Sequence, residues 1–440
     1  MPNRILLDEA LLEGGWARSV GLAVEHGVIA EVRPDAPLNY GPRMSGRAIP
    51  GMPNLHSHLF QRAMAGLAET RGPASDSFWT WREVMYGFLT RLSPEDVEAI
   101  AAQAMMEMLE GGFTALCEFH YLHHAPDGSA YANPAEMAER IAAAADETGM
   151  GLTLLPVFYA HGGFGPVPAA EGQRRFLSSL DSYERLLEAS ACAVQALPDS
   201  RLGVAPHSLR AATGAEISHL LSLRPKDPVH IHVAEQVAEV DACLAWCGAR
   251  PVQHLLDTQP VDGRWCLIHA TQMEASETEA LSRSGAVAGL CPITEANLGD
   301  GFFDATHFTG PWGVGSDSNV EITAPGELRL LEYGQRLLHR ARNVLARGEG
   351  SSTGASLYKA ALAGGAQASG RALGRIAPGA RADLVWLEPG SEVDDYVFVS
   401  GARAIRRVMV GGRVVVEESR HHARDRTAKR FRAVMERLRG

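Results

Sequence analysis

Gly51-Met52-Pro53-Asn54-Leu55-His56-Ser57-His58 is the stretch whose reading decides the fold. It follows Arg47-Ala48-Ile49-Pro50, an apolar approach that reads as a buried strand, expected over residues 48–52. Side chains along a strand repeat every two residues, so two histidines separated by one residue at a strand end face the same side. Imidazole is the commonest metal ligand among side chains, and such a pair can grip one ion from one face. A chance His-x-His in a polar loop is the competing reading. Polar clusters elsewhere in the chain weigh against it.

On either side of this stretch the chain changes character. Val20-Gly21-Leu22-Ala23-Val24 and Gly27-Val28-Ile29-Ala30-Glu31-Val32 form an expected antiparallel hairpin. It is too short to bury a core alone. The C-terminal part offers partners, in Ala382–Leu387 and in Ala404–Val416, where Gly411-Gly412 sits between two β-branched runs as a two-residue turn. The middle alternates strands and helices. Ser93-Pro94-Glu95-Asp96 starts a helix that Gly111-Gly112 stops, and Asn133-Pro134 starts another that Gly149 ends. Thr213 with Glu216, and Ser276 with Glu279, are two further expected capping boxes. The other strands are expected at 114–119, 152–158, 202–206, 229–233, 266–269, 287–290 and 312–316.

Eight strands with intervening helices match an α/β chain folded as a parallel (β/α)8 TIM-like barrel, and an open doubly wound sheet is the alternative. The odd polar residues fall at carboxyl ends of strands, where barrels place their sites. The expected organisation is therefore residues 1–47 as one part of a small β-sandwich, 48–370 as the barrel, and 371–440 as the rest of the sandwich plus a terminal helix.

The fifth strand reads Val229-His230-Ile231-His232-Val233-Ala234-Glu235. His232, nearer the carboxyl end, is the one expected to join His56 and His58, with His230 packed or supporting. Leu267-Ile268-His269 ends the sixth strand with an imidazole that is ligand-side or substrate-polarising. Gly313-Val314-Gly315-Ser316-Asp317 ends the eighth with a carboxylate between chain segments that glycines let approach closely. Arg82 and Arg210 present planar forks that match carboxylates with paired hydrogen bonds. Two such arginines at one barrel mouth suggest a dianionic substrate.

Pro53-x-Leu55-His56-x-His58 at a strand end resembles the amidohydrolase superfamily. The longer run to Phe60-Gln61-Arg62-Ala63-Met64-Ala65-Gly66-Leu67 resembles its deiminase branch acting on N-formimino-L-glutamate in histidine breakdown, and the likeness extends over the whole chain. The resemblance implies a metal held by His56, His58, His232 and Asp317. It implies proton transfer by Glu235, in the pattern His-x-x-Glu after the fifth strand, and catalytic roles for His269 and Asp317. Gln61, Arg82, Tyr121, His207 and Arg210 are assigned to the glutamate portion of the substrate. Three imidazoles and one carboxylate suit Zn2+ with a further position for water, and Fe2+ shares the ligand types. Binuclear members usually add a bridging lysine. The three lysines here, Lys226, Lys359 and Lys429, fall at no strand end assigned to the barrel mouth, so one ion per chain is expected. A homodimer is implied by the family alone. Deamination of a purine- or pyrimidine-type ring and hydrolysis of an N-acyl amino acid are the alternatives within enzymes, and a metal-free scaffold the alternative outside them. Phe60, Trp79 and Trp81 could stack on a ring, with packing as the plainer role.

Bulk properties narrow the class. The chain has 440 residues, 46% hydrophobic and 21% charged, with a formal net charge of -11. An acidic balance with no basic run before the C-terminus argues against nucleic acid or an anionic membrane. No apolar stretch approaches the ~18 residues of a membrane span. The start, Met1–Asp8, lacks a signal-peptide apolar region. Six scattered cysteines without Cys-x-x-Cys read as reduced thiols, and the expected compartment is the cytoplasm. Cys243 and Cys247, four apart on a helix, could share a metal, though burial as small apolar groups is the simpler reading.

Overall fold

The computed structural model describes residues 3–71 and 78–439, with only the backbone of Phe78 and Trp79, so the Trp79 side chain lies outside the described residues. Met52–Ser57 is the first of eight parallel barrel strands. It is followed by Phe113–His120, Gly151–Phe158, a fourth strand broken into Arg201–Leu202 and Ala205–Pro206, then Val229–Val233, Trp265–His269, Val287–Leu290 and Trp312–Val314. The first four pair in order, as do the last four. Parallel bridges between Val204 and Val229, Ser208 and His232, and Ser57 and Asp317 close the two halves into a cylinder. The expected barrel is borne out, and its strands are buried along nearly their whole length, as parallel strands covered by helices must be.

The strand expected over residues 48–52 differs. Arg43–Pro50 belongs to the terminal sheet, paired parallel with Asn3–Leu12 and antiparallel with Leu384–Leu387. The barrel strand begins only at Met52. Gly51 lies at the break, where a Cβ would sit 2.3 Å from the Thr114 side chain. The run is apolar on both sides of that glycine, so no alternation marks where one sheet hands over to the other.

Strands from both chain ends form one eight-stranded sheet, with Val28–Arg33 at one edge and Arg420–His421 at the other. Ile29 N–H donates to Ala380 O (2.8 Å) and Ala382 N–H to Gly27 O (2.9 Å), folding the sheet over a shared core that includes Leu7, Leu22, Leu384 and Trp386. The Gly411-Gly412 turn joins Ile405–Val410 to Arg413–Glu417 with φ of 55° and 76°, a conformation that favours glycine.

Helix punctuation follows the sequence at Ser93–Asp96, Thr213–Glu216 and Gly149. It fails at Ser276–Glu279. That helix starts at Ala275 with Glu274 as N-cap, and the Glu277 carboxylate accepts the Glu274 N–H at 3.0 Å. Glu277 is held there by the Arg250 guanidinium at 2.7 Å, a tertiary contact that the local pattern does not contain. The basic C-terminal helix, Arg424–Arg439, packs on Pro94–Glu110, with Arg430 reaching Glu98 at 2.8 Å and Glu147 at 2.6 Å. Among the described residues no helix is long and apolar enough to cross a membrane.

Candidate metal centre and active site

Three strand ends leave the barrel through left-handed backbone at residues that are not glycine: Ala234 (φ 52°), His269 (φ 68°) and Asp317 (φ 43°). Such conformations cost about 1–3 kcal/mol each and persist where surroundings fix them. Two of the three, His269 and Asp317, line the cleft at the mouth. The first and eighth strands are stitched around the turn, since Asp317 N–H donates to His56 O and His58 N–H to Asp317 O, both at 3.0 Å. Asn319 Nδ2 donates to His58 O and Ser57 Oγ, and Asn54 Nδ2 to Ser316 Oγ at 2.7 Å.

His56, His58, His232 and Asp317 each bring one ligand atom to within 4.8 Å of the others, and all four are buried. His58 Nδ1–H donates to Phe119 O at 2.9 Å and His232 Nδ1–H to His207 O at 3.0 Å. Each ring therefore presents an Nε2 lone pair inward. His58 Nε2 then faces Asp317 Oδ1 at 3.2 Å, and His232 Nε2 faces His56 Nε2 at 3.1 Å. Burial pushes His56 down to about 3 and holds His58 and His232 below the usual imidazole range, so the rings are neutral at neutral pH. Burial alone would raise the Asp317 carboxyl, but its contact with His56 and the nearby rings hold it below the usual range. Lone pairs converging on a carboxylate without a proton between them repel unless a cation sits among them. The donor set fits a divalent ion.

Gly315 is what lets the eighth strand approach. A Cβ there would sit 2.6 Å from His56 O and 2.7 Å from His56 N. Gly315→Ala is expected to lower stability by about 1–3 kcal/mol, as overpacking does, and to reduce bound metal per chain by displacing His56. Unchanged metal content and unfolding temperature would show that the strand yields freely.

Beside the donor set opens a narrow cleft. Glu235 and His269 line it next to Asp317. His269 Nε2 lies 3.7 Å from Glu235 Oε1 and 4.0 Å from Asp317 Oδ2, and its Nδ1 lies 3.3 Å from Glu295 Oε1. Burial lowers the His269 imidazole, but Glu235, Glu295 and Asp317 together raise it to about 10. Burial pushes the Glu235 carboxyl up to about 7, against the pull of His269 and Arg210.

Gln61, Arg82, Tyr121, His207 and Arg210 line the same cleft. Gln61 Nε2 donates to Tyr121 Oη at 2.7 Å. Arg82 comes from the helix Phe78–Leu89 and lies over the Tyr86 ring, 5.5 Å from its centroid. His230 points away, its ring nitrogen 2.9 Å from Ala368 O. Trp81 is at the cleft, whereas Phe60 is core, packed on Tyr121. Cys243 is buried and Cys247 exposed, with sulfurs 3.9 Å apart.

Sequence reasoning missed Tyr86, Tyr159, Phe176 and Glu295. Tyr159 directly follows the third strand, so the strand-end rule used for histidines would have found it. Tyr86 is one helical turn after Arg82. Glu295 carries no local signal. It is brought to His269 by the helix Pro292–Leu298, where it also accepts the Cys291 N–H at 2.8 Å.

A sequence profile described as the amidohydrolase family matches residues 47–415. Formimidoylglutamate deiminase of Pseudomonas aeruginosa is 51% identical to this chain over 448 aligned positions, covering 98% of the chain and 99% of that protein. The 8-oxoguanine deaminase of the same organism is 26% identical, covering 89% and 88%. Among solved structures, an amidohydrolase from Brucella melitensis superimposes with a TM-score of 0.95 at 50% identity, over 100% of both chains. An adenosine deaminase from Xanthomonas campestris with bound zinc superimposes with a TM-score of 0.82 at 20% identity over 100% of both, a likeness of fold.

Proposed function

The chain belongs to the amidohydrolase family, and from that premise we propose that it hydrolyses N-formimino-L-glutamate to N-formyl-L-glutamate and ammonia, using one zinc ion per chain. The observation that carries this reading is a single cleft holding the metal-donor set at one end and two guanidinium groups, Arg82 and Arg210, beyond it. A neutral purine-type ring carries no carboxylate to match the planar fork of a guanidinium. A substrate with two carboxylates and one amidine carbon matches two guanidinium groups beside a metal-donor set.

His56, His58, His232 and Asp317 would hold the ion, which supplies Lewis acidity that sharpens water into a nucleophile near neutral pH. The reaction is R–NH–CH=NH plus water giving R–NH–CHO plus ammonia. Asp317, kept ionised by its imidazole neighbours, accepts the proton of the attacking water. Glu235, raised by burial to about 7, is matched to receive and release a proton near neutral pH and carries it to the departing nitrogen. His269, whose Nε2 faces Glu235 and Asp317, fixes the attacking water or stabilises the oxygen of the tetrahedral adduct. Gln61, Tyr121 and His207 position the glutamate portion beside the arginines.

Ammonia release from N-formimino-L-glutamate, guanine, cytosine and N-acyl amino acids tests the assignment. Turnover confined to the first supports it, and turnover of a ring or of the acyl amino acids alone removes it. Arg82→Met and Arg210→Met are each expected to lower kcat/KM by roughly tenfold to over a hundredfold, the range for a charged hydrogen bond of about 1.5–3 kcal/mol. Metal content should stay unchanged. Wild-type kinetics in both variants would end the dicarboxylate reading.

A further inference from the structure

Tyr159 stands at the exit of the third barrel strand and lines the cleft. It is nearly buried, and its ring packs on His207 with centroids 4.6 Å apart. Its hydroxyl receives Gln173 Nε2 at 2.6 Å. Gln173 is itself buried, on a short 3-10 turn over Glu171–Gln173. The orientation of its amide follows from its other contact, because Ala170 N–H lies 2.7 Å from Gln173 Oε1. A backbone N–H can only donate, so the oxygen end of the amide must face Ala170 and the NH2 end must face Tyr159. Tyr159 Oη is then an acceptor towards Gln173, and its own hydrogen has to point elsewhere. Gly172 lets the turn pack closely on the helix that carries Arg82, since a Cβ there would lie 2.4 Å from the Tyr86 ring.

We infer that Tyr159 is a specificity-determining residue, whose O–H, turned into the cleft by Gln173, donates a hydrogen bond to one carboxylate of the substrate between Arg82 and Arg210. This rests on reading the cleft as a dicarboxylate site. The chemistry suits the place. Burial raises the phenol, although the charges of Arg210 and Arg82 pull it down, so the net shift keeps it a protonated donor at neutral pH. A neutral hydroxyl beside two guanidinium groups adds direction to an anion site without adding charge. It can also tell a carboxylate, which accepts, from an amide nitrogen, which does not.

The test is calorimetric binding of the product N-formyl-L-glutamate to the metal-loaded enzyme, alongside two analogues that each lack one carboxylate, 4-formamidobutyrate and N-formyl-L-2-aminobutyrate. Tyr159→Phe should raise the Kd for N-formyl-L-glutamate by roughly tenfold to over a hundredfold. It should leave the Kd of one analogue, the one lacking the carboxylate that the hydroxyl serves, unchanged. Gln173→Glu should do the same with the hydroxyl still present. One glutamate oxygen would keep the Ala170 N–H while the other would take the phenol proton and turn a lone pair into the cleft. The double variant Tyr159→Phe with Gln173→Glu should lose no more than Tyr159→Phe alone. A Kd for Tyr159→Phe within twofold of wild type would overturn the inference, as would equal losses for both analogues or an added loss in the double variant. Wild-type enzyme that binds N-formyl-L-glutamate in this pattern yet releases no ammonia from the formimino compound would refute the proposed reaction and leave the role of Tyr159 standing.

Discussion

Glu235→Gln is expected to keep one metal ion per chain and to lose about 10²–10⁴-fold in kcat, the range for a positioned general acid–base. The substitution keeps shape and volume. It also leaves the backbone anchored, because Glu235 N–H donates to Glu239 Oε2 at 3.1 Å through the main chain. What it removes is a carboxyl that burial has raised to about 7. The sign of the stability effect separates this from unfolding. A carboxyl whose folded pKa lies above its unfolded value stabilises the fold below the unfolded pKa, and that contribution is lost as pH rises through the folded value. Glutamine has no charge to bury, so at pH 8 the variant should unfold at or above the wild-type temperature. Metal analysis, steady-state kinetics and a melting curve at pH 8 check the three parts. Turnover within threefold of wild type at full metal content would mean that another group moves the proton.

Asp317→Asn is expected to act one step earlier, on the ion itself. Asp317 is the only anion in the donor set, facing His58 Nε2 at 3.2 Å and His56 Nε2 at 3.4 Å. Without it, three neutral imidazoles must hold a dication with no counter-charge among the ligands. Asparagine is the informative replacement because it tolerates the left-handed backbone that residue 317 adopts (φ 43°), where alanine would add strain. Loss of an outer partner of a ligand already costs about 10–100-fold in metal affinity, and loss of a ligand should cost at least as much. Turnover should fall by about 10³-fold or more, since the acceptor for the water's proton leaves with the carboxylate. Competition with a chromogenic chelator reads the affinity. A variant that retains stoichiometric metal and wild-type turnover would sink the assignment of Asp317.

Legibility from sequence tracked how local each signal is. His56 and His58 could be paired because two residues along a strand fix their common side. The Gly411-Gly412 turn and the Ser93 cap are set by a few adjacent residues. The handover at Gly51 carries no local mark because the run is apolar on both sides of it, and the cap at Glu274 depends on a distant partner, Arg250.

The sequence by itself determined that strands and helices alternate, which polar residues sit at strand ends, and that the chain's two ends must find each other to bury their apolar faces. Tertiary structure alone decided which nitrogen of each ring turns inward, through carbonyls of Phe119 and His207 that lie 61 and 25 residues away. It also decided that Glu295 supports His269, and that Gln173 sets the direction of the Tyr159 proton. Hydrogen bonds are directional and reach only a few ångströms, so their partners become known when strands far apart in the chain are closed into one cylinder.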